Sequence, residues 1–334
     1  MEERYSVLRP LKMEELERIV FDLIAFFSPL RSQEVRAKLG KNVDGSKILP
    51  LSVNDFVKYM EQVKGIKEFG RYHYHILALV KKLEQSNFLC KAGKDTGFTM
   101  GGENCYYCIK ELSNLQSKNP LWIGECLGLE YIQYRTKDFV VPITGIDSTG
   151  GIGIGTGTLI NENTILTCEH VLTEMKVDDE VRINKTNIKV LDVKPHSKVD
   201  VGIIKLDKSV DLDFQMVFGE VYLLDEILTM GYPPVPMTRD AYLISQKGEI
   251  NSLVKNYDGI DHIIYSSITR PGNSGGPIFT KRGHLVGISA RQLEREHDSE
   301  KNVVPFFEGI PSCEIIKALK EIEPDIKIAY ENYQ

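Results

Sequence analysis

Along the first hundred residues the apolar positions recur at helical spacing. Between Glu14 and Phe27 they fall at Leu16, Ile19, Val20, Leu23, Ile24 and Phe27, the stripe of an amphipathic helix. Ser28-Pro29 stops it, and Ser32–Leu39 makes a short second helix closed by Gly40. Val53–Val63 follows Ser52, a suitable N-cap, and Tyr74–Leu89 carries Ile76, Leu77, Val80, Leu83 and Phe88 on one side. Leu89–Met100 then reads as two extended runs around a Gly/Lys/Asp turn, a hairpin.

From Phe139 the texture changes to short β runs. They lie at Phe139–Ile143, Gly157–Ile160, Thr164–Val171, Glu180–Ile183, Ile188–Val193 and Val201–Leu206. Further runs follow at Val221–Met230, Gly248–Leu253, His262–Ser267, Pro277–Phe279 and Leu285–Ser289. Ser148–Gly155 reads as a glycine-rich turn. Short strands broken by Gly, Pro, Asn and Asp predict a sandwich or barrels.

Composition adds two constraints. A chain of 334 residues suggests two domains, and its charge is unevenly spread. Residues 1–100 carry 17 Lys/Arg against 13 Asp/Glu, whereas residues 101–334 carry 24 against 34. The first module's small positive excess argues against nucleic acid as a partner. The apolar run Ile19–Leu30 is broken by Asp22 and lacks a cleavage site, so no secretory signal is read there. No stretch reaches the length of a membrane span. Six cysteines are too sparse for a disulfide scaffold, and the expected compartment is the cytoplasm. Cys105-x-x-Cys108 has the spacing of a zinc knuckle, with Cys90 and Cys126 as conceivable partners. No second such pair supports it, so neither metal nor cofactor is expected.

The chemistry concentrates at Gly272-Asn273-Ser274-Gly275-Gly276-Pro277. Glycines beside a serine permit a sharp turn and bring backbone N–H groups together where negative charge develops on an acyl oxygen. Gly272, Asn273 and Ser274 are the candidate oxyanion residues. Upstream, His170 ends the apolar run Leu166–Val171, and Asp200 opens Val201–Leu206. A serine hydroxyl needs a base, and the base needs an orienting carboxylate. His196, His262 and His284 lack this strand-end context and read as surface or packing residues. Asp192 is a rival orienter without apolar flanks.

The order His170, Asp200, Ser274 resembles the trypsin-like (chymotrypsin-fold) serine proteases. The resemblance rests on Gly155-Thr156-Gly157, the histidine motif, Asp200-Val201-Gly202-Ile203-Ile204, Gly-Asn-Ser-Gly-Gly-Pro and Leu285-Val286-Gly287-Ile288. Val171 stands where the family often has a disulfide cysteine, which agrees with a reducing compartment. Asn273 replaces the aspartate that pairs with a new N-terminus in activated zymogens. With Phe307-Glu308-Gly309-Ile310-Pro311-Ser312, it is similar to the HtrA-like branch. Only a short tail follows residue 322, so no PDZ domain is expected. Helices followed by a hairpin resemble a winged helix. The expected fold is multidomain, α and β: a mostly helical, winged-helix-like regulatory domain over 1–104 and a connector over 105–136. An all-β double-barrel trypsin-like protease domain follows over 137–334.

The resemblance implies a serine endopeptidase acting on protein or peptide substrates, with a regulatory protein as the N-terminal domain's partner. Two other readings stay open: a DNA- or partner-binding regulator on a protease scaffold, and a non-peptide acyl hydrolase. By position the substrate pocket takes Ile268 as floor and Ser289 and Ala290 as wall. These imply Val, Ile, Leu or Ala before the scissile bond, since nothing there compensates a buried cation. The charged loop Arg291–Lys301, with Glu294, Glu296 and Asp298, is the rival source of selectivity.

Overall fold

The computed structural model describes residues 10–45, 47–95, 102–293 and 305–331. It divides into two compact units. The first is Met1–Leu112 with Glu125–Leu127, and the second Ser113–Gly124 with Gly128–Gln334.

In the first unit, α1 (Met13–Phe26), α2 (Ser32–Lys38), α3 (Val53–Gln62) and α4 (His73–Gln85) accompany a small antiparallel sheet. Its strands are β1 (Leu51–Ser52), β2 (Leu89–Asp95) and β3 (Glu103–Cys108), in the order β1-β3-β2. Ser52 caps α3 by accepting from the Asp55 N–H at 3.2 Å, while Asp55 accepts from the Ser52 N–H at 3.1 Å. Apolar stripes converge on Val20, Leu23, Phe56, Ile76 and Leu83, all buried. Phe26, Phe27 and Phe56 pack edge to face or stacked, with ring centroids 5.0–6.5 Å apart.

The hairpin differs from expectation. Gly93, read as its turn, lies within β2, where the register against β3 shifts between Lys91 and Gly93. Its φ of +134° marks a glycine-dependent bulge. The partner strand is β3, so the first unit extends past residue 104. Phe98-Thr99-Met100, read as the second run, lie outside the described residues. Cys105 and Cys108 sit on one extended strand, three residues apart, so their side chains leave opposite faces and form no knuckle.

The second unit opens with a connector whose Asn119 side chain donates to the Gln215 carbonyl (3.2 Å), followed by α5 (Leu129–Thr136). Its first sheet runs β7-β4-β5-β6-β10-β9-β8. The strands are β4 (Val140–Asp147), β5 (Ile152–Asn161), β6 (Thr164–Thr167), β7 (Met175–Val177), β8 (Glu180–Ile183), β9 (Thr186–Pro195) and β10 (Gly202–Leu206). The Asp178 N–H, just after β7, donates to the Thr144 carbonyl in β4 (2.9 Å) and extends the pairing of those two strands.

The second sheet contains β11 (Val217–Gly219), β12 (Glu226–Gly231), β13 (Ile244–Lys255), β14 (Asp261–Tyr265), β15 (Pro277–Thr280), β16 (Leu285–Leu293), β17 (Phe306–Pro311) and β18 (Ala329–Glu331). A pairing of β15 with β16 closes β15-β12-β13-β14-β17-β16 into a barrel. Its interior holds Ile227, Ile250, Ile263, Tyr265, Ile278, Val286 and Phe307. A terminal helix, α7 (Ser312–Ile322), buries Ile315, Ala318 and Leu319. The chain is thus a helical N-terminal region followed by two all-β units, the second of them a closed six-stranded barrel.

Three strand expectations needed correction. Residues 152–155, read as turn, already belong to β5, whose Gly153 and Gly155 give room to Met175 and Val171. The run from Thr164 ends as a strand at Thr167, and α6 (Glu169–Thr173) follows. The strand read from Val221 begins only at Glu226, because residues 222–225 turn with Leu224 at φ +65°.

Candidate active site

His170 lies in the first turn of α6 and Asp200 in the β9–β10 connection. The Asp200 carboxylate faces His170 Nδ1 with Oδ1 at 2.9 Å and Oδ2 at 2.8 Å. It also accepts from the His170 backbone N–H at 3.1 Å. Buried Val199 and Val201 anchor the carboxylate on either side. Only 8% of the Asp200 side chain is exposed, against 25% of the imidazole.

Burial alone disfavours both charged forms, but the mutual interaction outweighs it. For His170, desolvation is opposed by the Asp200 hydrogen bond and charge, which hold the imidazolium above its ordinary range. For Asp200, desolvation is opposed by His170, by its backbone N–H and by the Arg291 charge, which hold the carboxyl below the usual carboxylate range.

Ser274 is placed by backbone. Gly272 and Gly275 have φ of +94° and +83°, where a side chain is strained. A Cβ on Gly275 would also stand 2.2 Å from the Thr156 carbonyl and the Thr167 hydroxyl. Thr156, on β5, holds the loop at two points. Its hydroxyl donates to the Gly272 carbonyl (2.6 Å), and its N–H donates to the Ser274 carbonyl (2.9 Å). The same hydroxyl accepts from the Tyr232 N–H at 2.9 Å.

The Asn273 N–H donates to the Arg270 carbonyl (2.9 Å), so Asn273 is withdrawn from the expected oxyanion set. The N–H groups of Gly272 and Ser274 make no such bond among the described residues, and they remain the available donors. The Ser274 hydroxyl itself donates to the Ala290 carbonyl at 3.0 Å. Its proton must turn toward His170 before a transfer.

Ser274 and His170 open onto one cleft of about 880 Å³, lined also by Thr269, Arg270, Ala290 and Arg291. Of the expected pocket residues, Ala290 lines it. Ser289 is buried at 1% exposure, and Ile268 turns outward at 47%, its N–H bound to Gln246 Oε1. Thr269 lies inward instead, bonded to the Tyr265 hydroxyl. Glu294, Glu296 and Asp298 lie outside the described residues.

The remaining candidates are engaged elsewhere. His196, His262 and His284 are buried, facing Glu321, Glu308 and Glu331 respectively. Asp192 is exposed and binds its neighbour's N–H at Val193. Donor atoms of Cys168, His170 and Asp200 lie within 4.8 Å of one another, a conceivable metal triad. Imidazole and carboxylate are committed to each other, however, and full burial pushes the Cys168 thiol well above its usual range. Sequence reasoning missed Thr156 as the loop's support, for which the Gly155-Thr156-Gly157 motif was the available signal. It named the loop that begins at Arg291 as a rival source of selectivity, but through its acids Glu294, Glu296 and Asp298; in the structure Arg291 itself lines the cleft.

Residues 155–288 match the family model of the trypsin-like peptidase domain. Among solved structures, the chain is similar to a protease from M. tuberculosis in its active form, at 17% identity and TM-score 0.48, over 57% of this chain and 84% of that one. It is also similar to a serine endoprotease from Yersinia pestis, at 18% identity and TM-score 0.47, over 58% and 66%. A third is the HtrA-type protease AlgW with a tripeptide, at 19% identity and TM-score 0.46, over 58% and 63%.

Proposed function

With a trypsin-like peptidase domain over residues 155–288 as premise, we propose that this chain is a serine endopeptidase in which His170, Asp200 and Ser274 perform the chemistry. The observation that carries this reading is the convergence of a carboxylate-oriented imidazole and a glycine-held serine on one cleft. His170 Nε2 takes the Ser274 proton as Oγ attacks the substrate carbonyl, and the N–H groups of Gly272 and Ser274 receive the oxyanion. Asp200 holds the tautomer and stabilises the imidazolium. The proton then passes to the leaving amine, and water repeats the sequence to release the acyl group. The extended edge of β16 beside the serine loop suits a peptide better than a small ester.

The N-terminal unit supports a regulatory role. Its four helices and β1-β3-β2 sheet agree with a winged-helix-like module. Exposed Tyr74 and Leu77 on α4 suit protein contact better than phosphate contact. The cysteines are free, in keeping with the cytoplasm.

The test is cleavage of a denatured proteome by the full chain, with Ser274→Ala as control. New peptide termini appearing only with the unaltered chain support the reading. Termini equally frequent with Ser274→Ala refute it. Submicromolar, steeply salt-dependent binding of duplex DNA would overturn the view of the N-terminal unit.

A further inference from the structure

β16 pairs with β15 only as far as Ile288, opposite Pro277, but continues beside β17 to Leu293, opposite Phe306. Beyond Ser289, which still exchanges backbone bonds with Gly275 and Gly276, the edge that begins at Ser274 has no strand partner among the described residues. An extended peptide can add there as a strand. A bulge at Ala290 shifts the register, so that Arg291 stands opposite Glu308. The guanidinium is thereby directed into the cleft. Arg291 Nη2 lies 3.6 Å from Asp200 Oδ2 and Nε 3.5 Å from Glu308 Oε2.

Those separations are ion contacts longer than ordinary hydrogen bonds. Asp200 is committed to His170, and Glu308 also faces His262 across β14 and β17. Two carboxylates therefore orient the guanidinium without closing its fork, and 56% of the side chain stays exposed. Arg270, exposed in the loop before Ser274, lines the same cleft with no ion-pair partner among the described residues. The portion of the cleft contributed by β16 and the serine loop holds two arginines and no carboxylate. Among the described residues, the acids lining the cleft are Asp147, at the end of β4, and Glu174, just after α6. Asp147 is already occupied by Thr149 and the Gly151 N–H.

We propose that Arg291, assisted by Arg270, makes the cleft select substrates with an acidic side chain within the three residues preceding the scissile bond. The inference rests on the serine endopeptidase reading and replaces the aliphatic preference expected from Ile268. A carboxylate accepts two parallel N–H bonds from a guanidinium fork, whereas a lysine or arginine at the same place meets like charge. Arg291 acts here as a specificity-determining residue.

The experiment is cleavage-site profiling on a peptide library with the full chain and with Arg291→Ala, Arg291→Lys and Arg291→Glu. The unaltered chain should favour Asp or Glu before the cut about tenfold over Ala, as one charged hydrogen bond provides. Arg291→Lys should weaken the preference, Arg291→Ala abolish it, and Arg291→Glu turn it toward Lys or Arg. A merely structural role would lower all cleavage without turning the preference. Binding of an acidic hexapeptide and its lysine counterpart to Ser274→Ala, followed by fluorescence polarisation, tests selection without turnover. Tighter binding of the acidic peptide, reversed by a further Arg291→Glu change, supports the proposal. An aliphatic or basic preference, or an acidic one unaltered in Arg291→Glu, overturns it. Cleavage that persists in Ser274→Ala would instead defeat the endopeptidase reading.

Discussion

On the first β-sheet unit, His170 and Asp200 are fixed by side-chain bonds: two carboxylate oxygens within 2.9 Å of one ring nitrogen. On the second, Ser274 is fixed by backbone: two glycines at positive φ and two carbonyls held by Thr156. Side-chain bonds can be deleted while the chain trace survives. A loop that depends on missing Cβ atoms tolerates no such deletion. The two halves of one site should therefore fail in different ways.

The largest effect follows from removing reactive groups. Ser274→Ala and His170→Ala should each lower kcat by about 10⁴–10⁶, and Ser274→Ala should leave the unfolding midpoint nearly unchanged. Gly275→Ala, whose Cβ would meet two oxygens at 2.2 Å, should lose activity and stability together, by about 3 kcal/mol or more. Peptidase assays beside thermal melts separate the two cases. Equal melts for all three variants would erase the contrast.

Asp200→Asn should cost about 10⁴ in kcat, because the amide favours the wrong imidazole tautomer. Loss confined to KM would show that Asp200 does not orient the base.

Thr156→Val tests the backbone half more gently. The Gly272 carbonyl and Tyr232 N–H would both lose their partner, at about 1–3 kcal/mol of stability. Activity should fall about 10- to 100-fold as the oxyanion donors drift, and Thr156→Ser should recover most of it. A Thr156→Val enzyme with full activity would remove Thr156 from the account.

The pH dependence sharpens the side-chain half. Catalysis needs neutral His170, so kcat/KM should rise with pH through a limb lying above the ordinary imidazole range of about 6.5. The stability signs are opposite for the two partners. The His170 contribution is complete below the unfolded imidazole pKa and is lost as pH rises through the raised folded value. The Asp200 contribution is present above the ordinary carboxyl pKa and is lost as pH falls through its lowered one. An acid limb at or below the ordinary imidazole value would contradict this.

The smallest effect is chemical labelling. Exposed Cys90 and Cys313 should alkylate in the native state. Cys168, beneath the triad, and Cys126, whose thiol burial pushes up to about 12, should react only on unfolding.

Much of this was legible locally. The helical stripe ending at Phe27, the Ser52 cap and the glycines around Ser274 each express a rule acting over a few residues. The failures share a cause. Whether Thr164–Val171 stays extended depends on how α6 packs beneath Gly155, and which way Ile268 faces depends on Thr269 finding Tyr265. Arg291 entered the site through a bulge whose register is set by β17, far along the chain. Such outcomes rest on contacts between distant strands, which periodicity does not encode.

The proposed mechanism makes Ser274 a nucleophile activated by His170 beside two backbone donors. Reaction of the full chain with a fluorophosphonate, read by intact mass and peptide mapping, tests it most directly. The Ser274 oxygen should displace fluoride and form one covalent adduct per chain, slowed by orders of magnitude in His170→Ala and absent in Ser274→Ala. An adduct that persists in Ser274→Ala, or a folded chain that forms none, would contradict it.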